Sequence, residues 1–256
     1  DAGTFIDRAR EAEERKIMIT ERIREYLDYL DPGNRRYLEE LRREAEEGEV
    51  PIIRRDSERF LRALLAGLRP LRVLELGTAV GYSALVMAEE LPPSAHITTV
   101  ENYAPRIARA KENLARHGAG RITLIEGDAF QVLREQPDES YDFLFLDAAK
   151  GQYVKWLPEL LRVLSPGGTL LSDNVLQGGD TAESRFAIDR RDRTIHSRMR
   201  AYLEQLSRTE GIRTSILPIG DGLAFSVKEK TFEQREEEAN GTFAAGRQPG
   251  SSEDSL

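Results

Sequence analysis

The alternation of short apolar runs with helical stretches is the feature that most constrains how this chain folds. After Pro70, five apolar runs each precede a helical stretch or a long loop: Arg72–Leu76, Ile97–Val100, Ile122–Ile125, Phe143–Leu146 and Thr169–Leu171. Strands separated by helices in this way pair in parallel, and the helices cover both faces of the sheet. The sequence therefore predicts an α/β domain built around a mostly parallel sheet.

Helical periodicity and turn residues predict the remaining elements of this domain. Helices are expected at Tyr82–Glu90, Pro105–His117, Phe130–Arg134, Tyr153–Leu164 and Asp189–Arg208. Two further strands, Arg213–Ile219 and Leu223–Val227, bracket the turn Gly220-Asp221-Gly222 and predict a hairpin that closes the sheet. Ahead of the first strand, Asp56 or Ser57 is expected to cap a helix.

Composition divides the chain into three parts. Residues 1–49 are dense in Glu and Arg with apolar residues at helical spacing, which predicts an N-terminal helical extension of two helices joined at Asp31–Asn34. Residues 50–228 form the predicted α/β domain. Residues 229–256 have too few apolar residues to offset the entropy of ordering, so a flexible tail is expected.

Composition also excludes several classes of protein. The chain has no cysteine, which excludes disulfides and thiolate zinc sites, and it has only three histidines, so a bound metal should have oxygen ligands. No apolar run approaches the roughly 20 residues of a membrane span, and no leader is recognisable, so a cytoplasmic protein is expected. The net charge of −8 argues against a general polyanion binder but leaves a local basic face possible.

A glycine-bearing turn between a strand and a helix is the strongest local motif. It runs from Val73 to Ser83 and contains Glu75, Gly77 and Gly81 in an acid-then-GxxxG pattern. Nicotinamide dinucleotide sites instead use GxGxxG against a pyrophosphate. The pattern suits a ligand with an amino-acid portion and no phosphate, such as S-adenosylmethionine. The alternative is a bare strand-to-helix turn.

Acidic residues also end the second and third predicted strands. Glu101 lies 20 residues beyond Gly81, where a carboxylate accepts hydrogen bonds from ribose hydroxyls. Asp128 is placed to bind an adenine amine, and Ala129 offers a backbone amide. Alternatively, Glu101 is a solvated surface residue and Asp128 only caps the following helix.

Oxygen-bearing side chains end the fourth and fifth predicted strands. Asp147 follows one strand, and Asp173 and Asn174 follow the next. Two carboxylates and one amide oxygen suit Mg²⁺ or Mn²⁺ and leave coordination positions open for substrate. A cation there would lower the pKa of Lys150 and make it a candidate general base. The alternatives are that Asp147 binds only the cofactor, that the Asp-Asn pair belongs to a loop, and that Lys150 is an ordinary surface lysine.

Taken in order, ELGTAVGYS, VEN, EGDA, FLDAAKGQY and LSDNV resemble the cation-dependent class I O-methyltransferases, which include caffeoyl-CoA and catechol O-methyltransferases. The resemblance spans about residues 50–228. It implies a Rossmann-like, seven-stranded sheet whose last strand is antiparallel, and a homodimer. By position it assigns S-adenosylmethionine binding to Glu75, Gly77, Ser83, Glu101, Asp128 and Ala129, the cation to Asp147, Asp173 and Asn174, and the base to Lys150.

The C-terminal third resembles the bacterial tRNA 5-hydroxyuridine methyltransferases more than the plant enzymes. This resemblance makes wobble 5-hydroxyuridine in tRNA the leading methyl acceptor and small catechols the alternative. Arginines near the site would then contact RNA phosphates: Arg54, Arg55, Arg190, Arg191, Arg193 and Arg198. Alternatively, they form a solvated helix face or pair with the acidic N-terminal region.

Two alternative functional classes stay open for this sequence. A nicotinamide-dependent oxidoreductase is disfavoured because the glycine motif is GxxxG. A non-catalytic RNA-binding module is disfavoured by the acidic net charge and by the presence of the full set Asp147, Lys150, Asp173 and Asn174.

Overall fold

The computed structural model describes residues 22–118, 120–231 and 234 of the chain. It divides into two compact units, with the division between Arg43 and Glu44. In the first unit, residues 22–30 are helical (the described part of α1), and α2 begins at Arg36. None of the described helices is long and apolar enough to cross a membrane. The predicted flexible tail lies largely outside the described residues.

A seven-stranded sheet forms the centre of the second unit. Its strands are β1 (Arg72–Leu76), β2 (His96–Glu101), β3 (Ile122–Glu126), β4 (Tyr141–Leu146), β5 (Leu164–Ser172), β6 (Ile212–Leu217) and β7 (Leu223–Lys228). The strand order is β3-β2-β1-β4-β5-β7-β6, and β1 to β5 run in parallel. Strand β7 is antiparallel to both β5 and β6, as the predicted hairpin requires. The predicted sheet architecture is therefore confirmed.

Helices pack around this sheet in the alternating pattern expected of βαβ units. They are α3 (Arg55–Leu68), α4 (Tyr82–Glu90), α5 (Ala104–His117), α6 (Ala129–Glu135), α7 (Tyr153–Val163) and α8 (Arg193–Arg208). Helix α2 (Arg36–Glu47) spans the division between the two units. Single 3₁₀ segments occupy Lys150–Gln152 and Gln177–Ala182. The second of these segments follows the end of β5 and precedes the loop that leads to α8.

The core lies between the central strands and the helices α7 and α8. Leu144 and Leu146 of β4 are buried in it, as are Tyr153 of α7 and Tyr202 of α8. The rings of Tyr153 and Tyr202 meet edge to face with centroids 5.3 Å apart. The hydroxyl of Tyr202 lies 2.6 Å from the hydroxyl of Ser172, so α8 is tied to the last residue of β5.

Two predicted helix boundaries are wrong. Helix α3 begins at Arg55 with Arg54 as its N-cap, and no side chain caps it; Asp56 and Ser57 therefore lie inside the first turn. Helix α8 begins at Arg193 and not at Asp189. The reason is a turn at residues 189–192, closed by the amide of Asp192 donating to the carbonyl of Asp189 at 2.9 Å.

Candidate active site

A cavity of about 690 Å³ opens where the strand order reverses, between β1 and β4. Open parallel sheets bind ligands at such a point because the loops after the two strands diverge there. The cavity is lined by the segments that follow β1, β2, β3, β4 and β5, and by residues 51–54 and Asp221. The predicted cation residues and the predicted cofactor residues other than Glu75 and Gly81 therefore line one cavity.

The turn after β1 is shaped by Gly77. Its φ is +106°, and a Cβ at this position would lie 2.0 Å from the carbonyl oxygen of Asp147. The turns after β1 and β4 thus touch through bare backbone, which only glycine permits. Gly81 has a φ of +86° and begins α4, where a Cβ would crowd Leu114. Gly81 was predicted to contact the cofactor, but it does not line the cavity; its role in the structure is to start the helix.

Glu75 is completely buried and likewise does not line the cavity. Its Oε2 accepts a hydrogen bond of 2.5 Å from the hydroxyl of Thr99, and its Oε1 has no partner among the described residues. Burial, aided by the charges of Asp147 and Glu101 and opposed by hydrogen bonds, raises the pKa of Glu75 to about 7. An unpartnered buried carboxylate oxygen is an acceptor that a cationic or N–H-bearing ligand would satisfy.

Glu101 lines the cavity at the end of β2 and is only 8% exposed, so it is not a solvated surface glutamate. Its Oε2 accepts from the amide of Ala79 at 2.9 Å, and its Oε1 accepts from the amides of Asn102 and Tyr103. These bonds fix the carboxylate against the turn after β1. Each carboxylate oxygen has more than one lone pair, so acceptor capacity is left for a ligand.

Asp128 caps a helix and also lies at the cavity. As the N-cap of α6 it accepts from the amides of Phe130 and Gln131, at 3.0 and 3.1 Å. It also lines the cavity, together with Ala129. Ser83, near the start of α4, completes the predicted cofactor residues that reach the cavity wall.

The carboxylates of Asp147 and Asp173 lie at the ends of β4 and β5. Burial raises the pKa of Asp147, and Asp221 adds to that effect while Lys150 and Arg106 oppose it. Burial and the charge of Asp147 raise the pKa of Asp173 to about 7. A divalent cation would relieve the repulsion between the partly buried carboxylate of Asp147 and the buried carboxylate of Asp173.

Asn174 follows Asp173 in a left-handed backbone conformation with φ of +61°. Its backbone amide donates to the carboxylate of Asp173 at 2.7 Å. Within the described part of the chain, no group of three His, Cys, Asp or Glu side chains is arranged to hold a metal ion. The candidate cation ligands are instead two carboxylates and one amide. Their oxygen chemistry fits Mg²⁺ or Mn²⁺.

Lys150 lines the cavity at the start of the first 3₁₀ segment. Its positive charge lowers the pKa of both Asp147 and Asp173, in opposition to burial. A lysine coupled to both carboxylates in this way is part of the site and not an isolated surface residue.

The six predicted RNA-contacting arginines do not form one group. Arg54 lines the cavity, and Arg55 is half-buried at the start of α3. Arg193 and Arg198 donate to the backbone carbonyls of Ile188 and Gly151, at 2.9 and 3.1 Å, so these two arginines hold loops in place. The remaining pair, Arg190 and Arg191, is exposed, and Arg191 has only a weak contact of 3.2 Å with its neighbour Asp192.

Several residues at the cavity were not found from the sequence. Asp221, at the tip of the β6–β7 hairpin, was interpreted only as part of a Gly-Asp-Gly turn. Two cation–π pairs also line the cavity: Arg106 lies 5.5 Å from the Tyr103 ring centroid, and Lys155 lies 4.1 Å from that of Phe130. Sequence position could have indicated the two aromatic residues, since Tyr103 and Phe130 each lie two residues after a predicted site carboxylate.

Comparison with known proteins agrees with this geometry. A family model described as O-methyltransferase matches residues 30–229. A Mycolicibacterium vanbaalenii protein provisionally named an O-methyltransferase is 32% identical over 65% of this chain and 72% of its own length. A Staphylococcus aureus structure, provisionally named a caffeoyl-CoA O-methyltransferase, has 31% identity and a TM-score of 0.73, and covers 82% of this chain and 99% of its own. The SAH-bound methyltransferase PaMTH1 of Podospora anserina has 26% identity and a TM-score of 0.73, with 84% and 96% covered.

Proposed function

The chain belongs to the O-methyltransferase family, and on this premise we propose that it methylates a hydroxyl group with S-adenosylmethionine in a reaction that requires a divalent cation. One observation carries the proposal. The partly buried carboxylate of Asp147 and the buried carboxylate of Asp173, together with Lys150, line the same cavity as the glycine turn after β1 and the carboxylate of Glu101. The cavity thus combines a nucleoside site with a site for a hard cation.

The residues present fit S-adenosylmethionine. Because Gly77 has no side chain, the turns after β1 and β4 meet at the cavity, and Ser83 adds a hydroxyl to the same wall. Glu101 and Asp128 would hold the ribose and the adenine, and Phe130 adds an aromatic wall beside Lys155. The SAH-bound structure of the Podospora anserina relative, which is similar over most of both chains, supports the same ligand class here.

The residues present also fit a cation, with Asp147, Asp173 and Asn174 as ligands. When bound, Mg²⁺ or Mn²⁺ would act as a Lewis acid that lowers the pKa of the acceptor hydroxyl. Lys150 lies close enough to both carboxylates for its charge to lower their pKa values, in opposition to the effect of burial. In turnover, Lys150 as a neutral amine would receive the hydroxyl proton, while the oxygen takes the methyl group and the sulfonium sulfur takes the bonding electron pair.

We infer that the acceptor carries two adjacent oxygens, since a pair of oxygens chelates one cation and fixes which oxygen reacts. A small catechol meets this requirement. The resemblance to the Staphylococcus aureus protein, whose name specifies caffeoyl-CoA, a catechol-bearing compound, supports this acceptor class.

A second candidate acceptor is 5-hydroxyuridine in tRNA, and one observation favours it. Phe186 is 87% exposed in the loop ahead of α8, and exposed arginines Arg185, Arg190 and Arg191 surround it in sequence. An exposed aromatic ring among arginines is the arrangement that stacks unpaired bases and contacts phosphates. Arg193 and Arg198 already donate to backbone carbonyls, so the proposed RNA contact is confined to this loop.

The test is transfer of labelled methyl groups from S-adenosylmethionine to catechol and, in parallel, to tRNA containing 5-hydroxyuridine, with Mg²⁺ or with EDTA. Asp173→Asn should lower the rate by about a hundredfold and should weaken Mn²⁺ binding, measured separately by electron paramagnetic resonance. Asp189→Asn, in an exposed turn, is the matched control. Full activity in EDTA, or unchanged Mn²⁺ binding by Asp173→Asn, would contradict the proposed cation site.

A further inference from the structure

We propose that Arg54, fixed in place by Asp221, binds an anionic group carried by the methyl acceptor. The inference rests on the proposed function and specifies the acceptor class for the same site. Arg54 and Asp221 are far apart in sequence: Arg54 is the N-cap of α3, and Asp221 lies in the β6–β7 turn. Arg54 Nε donates to Asp221 Oδ2 at 2.6 Å, and both residues line the cavity.

The position of Asp221 places this pair at the cation end of the cavity. The charge of Asp221 raises the pKa of both Asp147 and Asp173, which requires that the three carboxylates be near one another. The nucleoside end, formed by Glu101 and Asp128, is at the ends of β2 and β3. A group bound by Arg54 therefore belongs to the acceptor and not to the adenosine.

The hairpin tip that carries Asp221 is held on two sides. The carbonyls of Gly222 and Asp221 accept from the amides of Val175 and Leu176, both at 2.9 Å, directly after the Asp173-Asn174 pair. Gly222 has a φ of +91°, and a Cβ there would lie 2.4 Å from the Leu176 side chain. Because the tip is anchored in this way, Asp221 is a fixed support for the arginine.

The guanidinium of Arg54 is left with free donors, in contrast to the arginines that have structural roles. Arg62 contacts the carboxylates of Glu58, Glu89 and Glu90. Arg54 has a single acceptor among the described residues, at Nε, and its side chain is 61% exposed. Both terminal nitrogens of Arg54 are thus available as the planar fork that binds a carboxylate or phosphate through two parallel hydrogen bonds.

This arrangement specifies an acceptor that joins a cation-chelating oxygen pair to an anion. A dihydroxylated aromatic acid has a carboxylate as that anion, and a 5-hydroxyuridine nucleotide has a phosphate. In both cases the contact would orient the acceptor across the cavity while the oxygen pair is held at the cation end.

The experiment compares matched acceptors that differ only in the anion, in steady-state assays with Mg²⁺. One pair is 3,4-dihydroxybenzoate and its methyl ester; the other is 5-hydroxyuridine 5′-monophosphate and the uncharged nucleoside. We expect wild-type enzyme to favour the charged member of one pair by about tenfold in KM, and Arg54→Gln to remove that preference. The pair that responds identifies whether the anion is a carboxylate or a phosphate.

Arg116→Gln is the matched control, because Arg116 is 64% exposed and also pairs with a carboxylate at 2.6 Å, but on the surface of α5. It should keep the wild-type preference. In an Asp221→Ala background, Arg54→Gln should change the KM ratio by less than threefold, since the arginine has already lost the acceptor that holds it. A tenfold effect of Arg54→Gln in that background would overturn the role of Asp221.

Two results would overturn the inference in distinguishable ways. Equal KM values for charged and uncharged acceptors in wild-type enzyme would reject anion recognition while methyl transfer, and so the proposed function, stands. Absence of transfer to every acceptor, including tRNA, would reject the proposed function and the inference with it.

Discussion

At the scale of single residues, Glu75 shows how burial alone changes the chemistry of a carboxyl group. It has no contact with solvent, and its pKa is raised from 4.5 to about 7. The folded protein thus holds this proton more tightly than the unfolded chain does. The free energy of unfolding that Glu75 contributes consequently falls as pH rises from about 4.5 to about 7. Above that range the folded protein bears the full free-energy cost of the buried, ionised carboxylate.

Replacing Glu75 by glutamine should remove this pH dependence. At pH 5 the stability of Glu75→Gln should be close to that of the wild-type protein, whereas at pH 8 it should be higher by up to about 3 kcal/mol. Urea unfolding of the ligand-free protein at both pH values measures this. Glu126→Gln, at a half-exposed surface carboxylate paired with Lys111, is the control. Equal differences at pH 5 and pH 8 would show that Glu75 is ionised in the fold.

Gly77 is the other residue whose identity the fold dictates. A methyl group there would lie within 2.0 Å of the Asp147 carbonyl, and backbone cannot move aside as a flexible side chain does. Gly77→Ala should therefore separate the turns after β1 and β4, lower stability by about 2 kcal/mol or more and abolish S-adenosylmethionine binding. Gly67→Ala, where a Cβ meets nothing within 4 Å, should retain cofactor affinity by calorimetry. Retained affinity in Gly77→Ala would place the ligand elsewhere.

At the scale of elements, the loop ahead of α8 decides whether RNA is an acceptor. Arg190→Ala with Arg191→Ala removes two exposed charges without disturbing the backbone contacts of Arg193 and Arg198. If tRNA is the acceptor, its affinity should fall, and the slope of log K against log salt should decrease in magnitude by about 1.5 to 2. The control pair is Arg116→Ala with Arg134→Ala, two exposed arginines on α5 and α6. An unchanged slope for the loop variant would leave catechols as the acceptor.

At the scale of the whole molecule, the polar C-terminal residues are predicted to add little to stability. Just after β7, the amide of Glu229 donates to the carbonyl of Gly211 at 2.8 Å, and Glu229 also forms an ion pair with Arg213. Truncation after Lys230 should therefore shift Tm by no more than about 1 °C. Truncation after Lys228 should cost about 1 kcal/mol, because it removes both contacts. Differential scanning calorimetry checks both, and a large drop for the first truncation would contradict the tail prediction.

The predicted homodimer belongs to the same scale and rests on the family resemblance. Light scattering coupled to size-exclusion chromatography would give a molar mass of twice 28.9 kDa if the protein is a homodimer. A mass of one chain at micromolar concentration would reject it.

The sequence by itself determined the sheet, its parallel direction and the closing hairpin, since hydrophobic periodicity and turn residues are local signals that burial on both faces enforces. It also located Asp147, Asp173 and Asn174, because parallel strands end at one edge. Only the tertiary structure decided that Gly81 and Glu75 lie off the cavity wall and that Arg193 and Arg198 bind loop carbonyls. It alone joined Arg54 to Asp221. These contacts join segments as much as 167 residues apart, and no local pattern encodes which distant partner a side chain meets.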